Sequence, residues 1–291
     1  GAPSRSTGTQ GAVGAVLLVL ALGLVLRLII ARLLPGSGFG VDLSAFKFWA
    51  NDLATNGLYG FYDRDFFHDY TPGYLYILWL VGVVGNAIGG IGDLIKVPAI
   101  LADLAIAWLV WSMILELGGR RSLALGAALV AGLNPVTWFD SVVWGQVDSV
   151  GVVFLLLGLR DIWRDRPERA AAFTVVAALI KPQLGILVPI LAVVTIRRAL
   201  WPPEPRLEDV DVGPGLLDRL RAWERRTDRP IRILTTGLVG VGVIYAMCLP
   251  FGLSVSAAAV ILLAALTMAA GIAAAPSSLL WTAFFTAWLL A

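Results

Sequence analysis

Long apolar stretches, separated by loops rich in arginine, constrain this chain more than any other feature of its sequence. Charged residues make up 14 % of the 291 residues and hydrophobic residues 58 %, whereas a soluble domain has about 25 % charged residues. Several stretches approach the ~20 apolar residues that a helix needs to cross a bilayer. The sequence therefore predicts an all-α polytopic membrane protein.

The remaining composition excludes several classes of function. The formal net charge is +2, and no basic tract indicates binding of nucleic acid. Cys248 is the single cysteine and His68 the single histidine, so a disulfide within the chain is impossible and a zinc site is not expected. We expect no metal and no other cofactor.

The N-terminal region predicts a polar lead-in followed by the first membrane span. Residues 1–10 are rich in Ser, Thr and Gly, and we expect them to be disordered. The apolar run 11–34 is too long for a signal-peptide core and has no small-residue cleavage site, so it predicts a transmembrane helix. Pro35 and the glycines that follow it end this helix.

The arginines predict the orientation in the membrane. Basic loops at 118–121, 160–169 and 199–232 are expected in the cytoplasm, because short cytoplasmic loops carry an excess of Lys and Arg. Alternation of the spans then makes residues 35–95 one external loop. The apolar segment 74–90 is consequently predicted to lie in the outer interface. The alternative is that 74–90 does cross and that one loop breaks the charge rule.

Two interfacial helices are predicted in the first external loop. In 43–56 the apolar residues Phe46, Trp49 and Leu53 recur at helical spacing, and Gly57 is a stop signal. A second helix is expected to begin at Pro72. In the cytoplasmic loop, 216–226 predicts a short amphipathic helix that rests on anionic lipid or links the spans in solvent. We expect 255–291 to form variable C-terminal helices that are incomplete.

Charges at the ends of spans are candidate functional groups, because charge at membrane depth is costly. Asp42 suits a general base for a hydroxyl, although the residues alone favour its alternative role as an N-cap. Asp69 precedes Pro72 and by itself indicates an ordinary helix start. Lys96 and Lys181 are predicted to face outside, where each cation would pair with a phosphate or carboxylate.

Two further groups of residues are candidates for the functional site. Arg27 and Arg32 lie in the outer half of span one, and snorkelling to the interface is the favoured role for Arg32. One short external stretch is crowded with indoles and hydrogen-bonding groups, which is typical of a sugar-binding surface: Asn134, Trp138, Asp140, Trp144, Gln146 and Asp148. Interface anchoring is the rival explanation for the tryptophans, and an N-cap is the rival role for Asp148.

These motifs, in this order, resemble those of GT-C glycosyltransferases. The pattern Asp42-x-x-x-Phe46-x-x-Trp49-Ala50 and the stretch 69–74 (Asp-Tyr-Thr-Pro-Gly-Tyr) are similar to the first external loop of that superfamily. Asn134-Pro135 and the stretches 144–149 (Trp-Gly-Gln-Val-Asp-Ser) and 180–183 (Ile-Lys-Pro-Gln) are similar to a bacterial GPI-mannosyltransferase-like branch. Dolichyl-phosphate-glucose glucosyltransferases look related. The resemblance covers roughly residues 12–200.

The resemblance implies a fold and a layout. The fold would be GT-C, with a conserved seven-helix module in 11–254, extra C-terminal helices in 255–291, and two juxtamembrane helices in the first external loop. Asp42 and Asp69 match the catalytic loop carboxylates, which makes Asp42 the expected base. The residues expected to bind the donor or acceptor are Arg27, His68, Tyr70, Lys96, Asp140, Trp144, Gln146, Asp148, Lys181 and Gln183.

The implied activity is an inverting transfer of mannose or glucose from a polyprenyl-phosphate donor to a lipid- or glycan-linked acceptor. It would take place on the external face of a bacterial plasma membrane, with membrane lipids as the surroundings and no metal. The alternative is a transporter or flippase of a lipid-linked sugar, although no inverted repeat is evident in the sequence. A non-catalytic scaffold is disfavoured because it needs no acidic and basic residues at one depth.

Overall fold

The computed structural model describes residues 5–201, 215–216, 218 and 230–254. Throughout these residues the chain is helical and forms no strand, so the predicted all-α class is confirmed. The helices are α1 (Arg5–Leu33), α2 (Gly40–Asn56), α3 (Pro72–Ala87), α4 (Val97–Glu116), α5 (Arg121–Leu133), α6 (Pro135–Trp138), α7 (Asp148–Trp163), α8 (Pro167–Ile180), α9 (Leu187–Leu200) and α10 (Ile231–Cys248). A π-helix, Phe139–Trp144, follows α6.

Five helical stretches in the described residues are long and apolar enough to cross a membrane, so this is a helical membrane protein. The α3 helix, in the segment predicted to lie in the outer interface, is a shorter apolar helix of 16 residues. The stretches are Val13–Leu33, Gly92–Glu116, Arg121–Trp144, Pro182–Leu200 and Ile231–Phe251.

The chain forms two compact units. Unit 1 comprises Gly1–Leu58 and Tyr74–Leu156. Its core lies where α1, α4 and α5 pack together, with buried Val16, Trp111 and Ala128. The helices α2 and α3 meet at Gly82, where any side chain would overlap the Ala50 carbonyl. Glycine at this position therefore allows the two backbones to touch.

Unit 2 comprises Tyr59–Gly73 and Leu157–Ala291. Its described part is built around α8 and α10, whose contact buries Val175, Leu179 and Ile244. The connecting segment 59–73 is attached by a hydrogen bond from Gly60 N to the Phe251 carbonyl, at 3.2 Å. One ion pair joins Asp165 in the α7–α8 turn to Arg198 of α9, and another joins Glu168 in the first turn of α8 to Arg232 of α10.

Two predicted boundaries need correction, and two predicted helical regions lie outside the described residues. Residues 5–10, expected to be disordered, continue α1 as helix. The α2 helix begins at Gly40, three residues before the predicted start, because Phe39 N is anchored on the Trp144 carbonyl at 3.0 Å and Leu43 N closes the first turn on Phe39 O. The amphipathic helix predicted at 216–226 and the helices predicted at 255–291 lie outside the described residues, except for Leu216 and Asp218.

Candidate functional site

The α2 helix presents Asp42 in its first turn, with the carboxylate partly exposed. Its Oδ2 accepts a hydrogen bond from the Gln146 amide nitrogen. Within the described part of the chain, Oδ1 accepts no hydrogen bond. The alternative role of Asp42 as an N-cap is wrong, because Phe39 occupies the cap position and no side chain caps the helix. A carboxylate there also gains from the positive end of the helix dipole.

The position of Gln146 depends on the π-helix and on the turn that ends it. The carbonyl of Asp140 accepts from both Gly145 N at 2.8 Å and Gln146 N at 3.0 Å. Gly145 has a φ of 85°, a left-handed conformation that glycine adopts without strain. A side chain there would also lie 2.7 Å from the Leu43 side chain. The wide turn and the glycine together place Gln146 against α2.

A half-exposed aromatic group lies at the start of α2. Trp144 is 45 % exposed, and its ring centroid lies 6.3 Å from that of Phe39 and 6.1 Å from that of Phe139. The Trp144 backbone is fixed as well, since its carbonyl accepts the hydrogen bond from Phe39 N. The indole is therefore held next to the residue that precedes α2, with nearly half of its surface open.

Lys96 fastens the loop that leads into α2. Its ammonium donates to the Ser37 carbonyl at 2.6 Å and to Ser37 Oγ at 3.3 Å, and Asp93 lies 3.9 Å away. The lysine side chain is only 4 % exposed, at the end of a short 3₁₀ turn, Gly92–Lys96. The cation is therefore immobilised near the start of the helix that carries Asp42.

A buried ionic network lies deeper in unit 1. Arg27 and Asp103 form a salt bridge of 2.9 Å with both side chains fully buried. Asp103 also accepts hydrogen bonds from Ser141 Oγ at 2.6 Å and from Ser149 Oγ. Asp103 was not among the predicted site residues. In the sequence it is marked only by being a carboxylate inside the apolar run 97–117. Its partners lie 38 to 76 positions away, so no local pattern reveals the network.

The geometry does not support Arg27 as a ligand of the donor phosphate. Its Nε and Nη2 atoms bind Asp103, Nη1 donates to the carbonyls of Gly132 at 2.7 Å and Gly23 at 3.1 Å, and Nη2 also donates to Thr137 Oγ1. A guanidinium has five N–H groups, and these contacts use them all. We therefore assign Arg27 to the buried network.

The network braces the segment that carries Gln146. Ser141 belongs to the π-helix and Ser149 to the start of α7, so Asp103 binds residues on both sides of Gln146. Asp140 and Asp148 lie in the same segment, and both are partly exposed. Unit 1 thus brings together the partly exposed carboxylate of Asp42, its amide partner Gln146 and a buried ionic network that supports the segment of Gln146.

Unit 2 holds the second group of predicted site residues. Asp69 is exposed, and the following Tyr70 accepts a hydrogen bond from the Tyr62 hydroxyl at 2.9 Å through its carbonyl. Thr71 Oγ1 donates to the Leu179 carbonyl at 2.6 Å. A side chain at Gly73 would lie about 2.5 Å from the Leu179 backbone. The Asp69 segment is therefore seated on the end of α8.

Lys181 and Gln183 follow directly on that helix end. The Lys181 backbone closes α8 by a hydrogen bond from its N to the Ala177 carbonyl, at 3.0 Å. Gln183 lies on the exposed side of the next 3₁₀ turn, Pro182–Ile186. Unit 2 therefore places Lys181 close in the fold to Thr71, because Thr71 binds the carbonyl two residues before it.

His68 lies in an aromatic cluster. Its ring centroid is 5.8 Å from that of Phe61, 5.3 Å from that of Tyr62 and 6.0 Å from that of Phe66. Phe61 is fully buried, and Phe251 packs edge-on against it at 6.4 Å. These contacts give His68 a packing role in unit 2, in addition to the predicted role in binding.

The Tyr74 hydroxyl is not a candidate base. Burial raises the pKa of this hydroxyl above its ordinary value, so the phenol stays protonated.

In the part of the chain that the structure describes, no three His, Cys, Asp or Glu side chains form a group that could hold a metal.

Comparison with protein-family models, with curated proteins and with solved structures finds no match for this chain. The functional interpretation therefore depends on the chemistry of these side chains and on the resemblance of their motifs.

Proposed function

We propose that this protein is an integral-membrane glycosyltransferase that moves a hexose from a polyprenyl-phosphate donor to a lipid- or glycan-linked acceptor. The observation that carries the proposal is the oriented carboxylate of Asp42. Gln146 holds one oxygen, and the other oxygen makes no hydrogen bond among the described residues. Such a group is suited to accept a proton from a hydroxyl.

The proposed reaction is a single displacement. The acceptor oxygen attacks the anomeric carbon of the sugar while the bond between that carbon and the phosphate oxygen breaks. The electron pair leaves with polyprenyl phosphate, the configuration inverts, and the hydroxyl proton passes to Asp42 Oδ1. Gln146 donates to Oδ2 in this scheme and keeps Oδ1 directed at the acceptor.

Two features support donor recognition. Trp144 offers a half-exposed indole at the start of the helix that carries Asp42, and Lys96 supplies a cation immobilised against Ser37 in the loop before that helix. A cation that is already ordered stabilises the leaving phosphate without further reorganisation. The third N–H of the Lys96 ammonium is the group proposed to meet that phosphate.

The expected role of unit 2 is positioning. Asp69 and Lys181 lie on the segment and the helix end that Thr71 ties together. We propose that they orient the donor or acceptor and that Asp42 alone removes the proton.

The test is turnover of a radiolabelled polyprenyl-phosphate hexose by the full chain in its native membranes. Asp42→Asn is expected to lower turnover by at least about 10²-fold, the lower end of the usual effect of a positioned base. Donor affinity should be unchanged, since the base contacts the acceptor. Asp52→Asn is the matched control on the same helix, where the carboxylate accepts from Asn56 at 2.7 Å.

Two outcomes would contradict the proposal. An Asp42→Asn protein with full turnover would remove Asp42 as the base. Movement of the labelled lipid between leaflets without release of polyprenyl phosphate would favour the flippase alternative instead.

A further inference from the structure

An apolar cavity of about 260 Å³ opens between α8, α9 and α10 of unit 2. Its walls are made of small and aliphatic side chains such as Ala171, Ala192 and Val241, together with Gly237 and Gly240. In the liquid one water occupies about 30 Å³, so this space has room for roughly eight groups of that size. Three threonines, Thr174, Thr195 and Thr236, also line it, but the rest of the wall is apolar and suits an apolar chain better than water.

One end of the cavity is polar. Leu191 and Thr195 line both the cavity and a small crevice next to it, and the crevice is bordered by Arg198 and Arg232. The hydroxyl of Thr195 is buried and has no hydrogen-bond partner among the described residues. The hydroxyls of Thr174 and Thr236, which also line the cavity, are likewise buried without a partner among the described residues. Along α9 the order is therefore Arg198, then the Thr195 hydroxyl, then apolar wall at Leu191 and Val188.

Among the residues that the structure describes at this end of unit 2, arginine is in excess. The α7–α8 turn, the end of α9 and the start of α10 carry seven arginines and three carboxylates: Arg160, Arg164, Arg166, Arg169, Arg197, Arg198 and Arg232, with Asp161, Asp165 and Glu168. Each carboxylate pairs with one arginine. The positive charge that remains would attract an anion, and the positive-inside rule predicts this end to be cytoplasmic.

We propose that this groove binds an anionic phospholipid, with one acyl chain in the cavity and the phosphate against Arg198. Thr195 then donates to an ester oxygen of the glycerol, between the charged and the apolar part. The phosphate, the glycerol ester and the acyl chain of the lipid thus follow the same order as Arg198, Thr195 and the apolar wall along α9. The proposal does not depend on the glycosyltransferase function.

The adjacent residues of α9 provide paired variants. Ala192 and Val193 are both exposed, but Ala192 lines the cavity and Val193 does not. Arg198 borders the crevice, whereas its neighbour Arg197 is exposed and does not. Both variants place a phenylalanine on the same helix, and only the one at position 192 enters the cavity.

The experiment is native mass spectrometry of the full chain in detergent, titrated with dioleoyl phosphatidylglycerol or dioleoyl phosphatidylcholine. We expect at least about fivefold tighter binding of the anionic lipid, the effect of one arginine near a phosphate. Ala192→Phe should weaken this binding by at least about tenfold, as expected for about two displaced methylene groups. Val193→Phe should leave it unchanged.

Arg198→Gln should weaken binding of phosphatidylglycerol by about fivefold, and Arg197→Gln should have a smaller effect. Equal binding of the two lipids would overturn the proposal, and so would equal effects of Ala192→Phe and Val193→Phe. The second result would mean that another occupant, such as the apolar residues 255–291, fills the cavity. Because Arg198 also pairs with Asp165, the Ala192 and Val193 variants decide the matter if Arg198→Gln fails to fold.

Discussion

The Arg27–Asp103 pair offers the strongest test of how unit 1 is held together. Both side chains are fully buried, and removal of one partner leaves the other as an uncompensated charge away from water. Breaking a buried ion pair in this way typically costs about 3–5 kcal/mol. We therefore expect Asp103→Leu and Arg27→Met each to lower the free energy of unfolding by an amount in that range.

The contacts of Asp103 show where the loss arises. In Asp103→Leu, Arg27 loses the acceptor of its Nε and one acceptor of its Nη2. Ser149 loses its acceptor as well, whereas Ser141 keeps the Thr137 carbonyl at 3.0 Å. The orphaned hydroxyl of Ser149 adds a cost of about 1 kcal/mol.

The double variant separates charge pairing from packing. Arg27→Met with Asp103→Leu leaves no buried charge, and replacing both partners of a buried pair with apolar residues is often neutral or stabilising. We expect the double variant to be more stable than either single variant. The measurement is reversible unfolding in mixed micelles, and Asp93→Asn serves as control because Asp93 is 61 % exposed.

Two results would refute this account. If the losses of the single variants simply add in the double variant, the two side chains do not interact. If Asp103→Leu is as stable as the parent protein, Arg27 is not confined to a dry site.

Three further predictions concern the site and the topology. Lys96→Met should weaken donor binding by at least about tenfold, since a hydrogen bond to a charged group contributes about 1.5–3 kcal/mol; unchanged affinity with a large loss of thermal stability would make this lysine purely structural. Gly82→Leu should separate α2 from α3 and lower the melting temperature, whereas a melting curve like that of the parent would contradict their contact. In a background with Cys248 replaced by alanine, an impermeant thiol reagent should label Tyr59→Cys in intact cells and Arg164→Cys only after permeabilisation. Labelling of Arg164→Cys in intact cells, with Tyr59→Cys protected, would invert the predicted orientation.

The local patterns of the sequence predicted the helices well. In α2 the spacing of Phe46, Trp49 and Leu53 and the stop at Gly57 appear in the structure as a buried stripe and a helix end. Pro72 does begin α3. These features depend on neighbours within a few residues, which sequence reasoning can follow.

The contacts that join distant segments could not be predicted in the same way. Asp103 lies inside an apolar run, and only the fold brings Arg27 and Ser149 to it. The start of α2 was misjudged because a hydrogen bond from Phe39 to the remote Trp144 carbonyl sets it. The role of Arg27 was misassigned for the same reason, since burial and partners are properties of the folded chain.

The separation between Arg27 and Asp103 also has a consequence for biogenesis. Arg27 leaves the ribosome 76 residues before its counter-ion, which at about 5–20 residues per second is a delay of roughly 4–15 s. An arginine at the centre of a lone inserting helix costs about 2.5–3.5 kcal/mol on the translocon scale, and Arg27, about one turn from the centre of the span Val13–Leu33, costs less than that. We therefore expect the first helix to carry an unpaired arginine at membrane depth until α4 brings Asp103 to it.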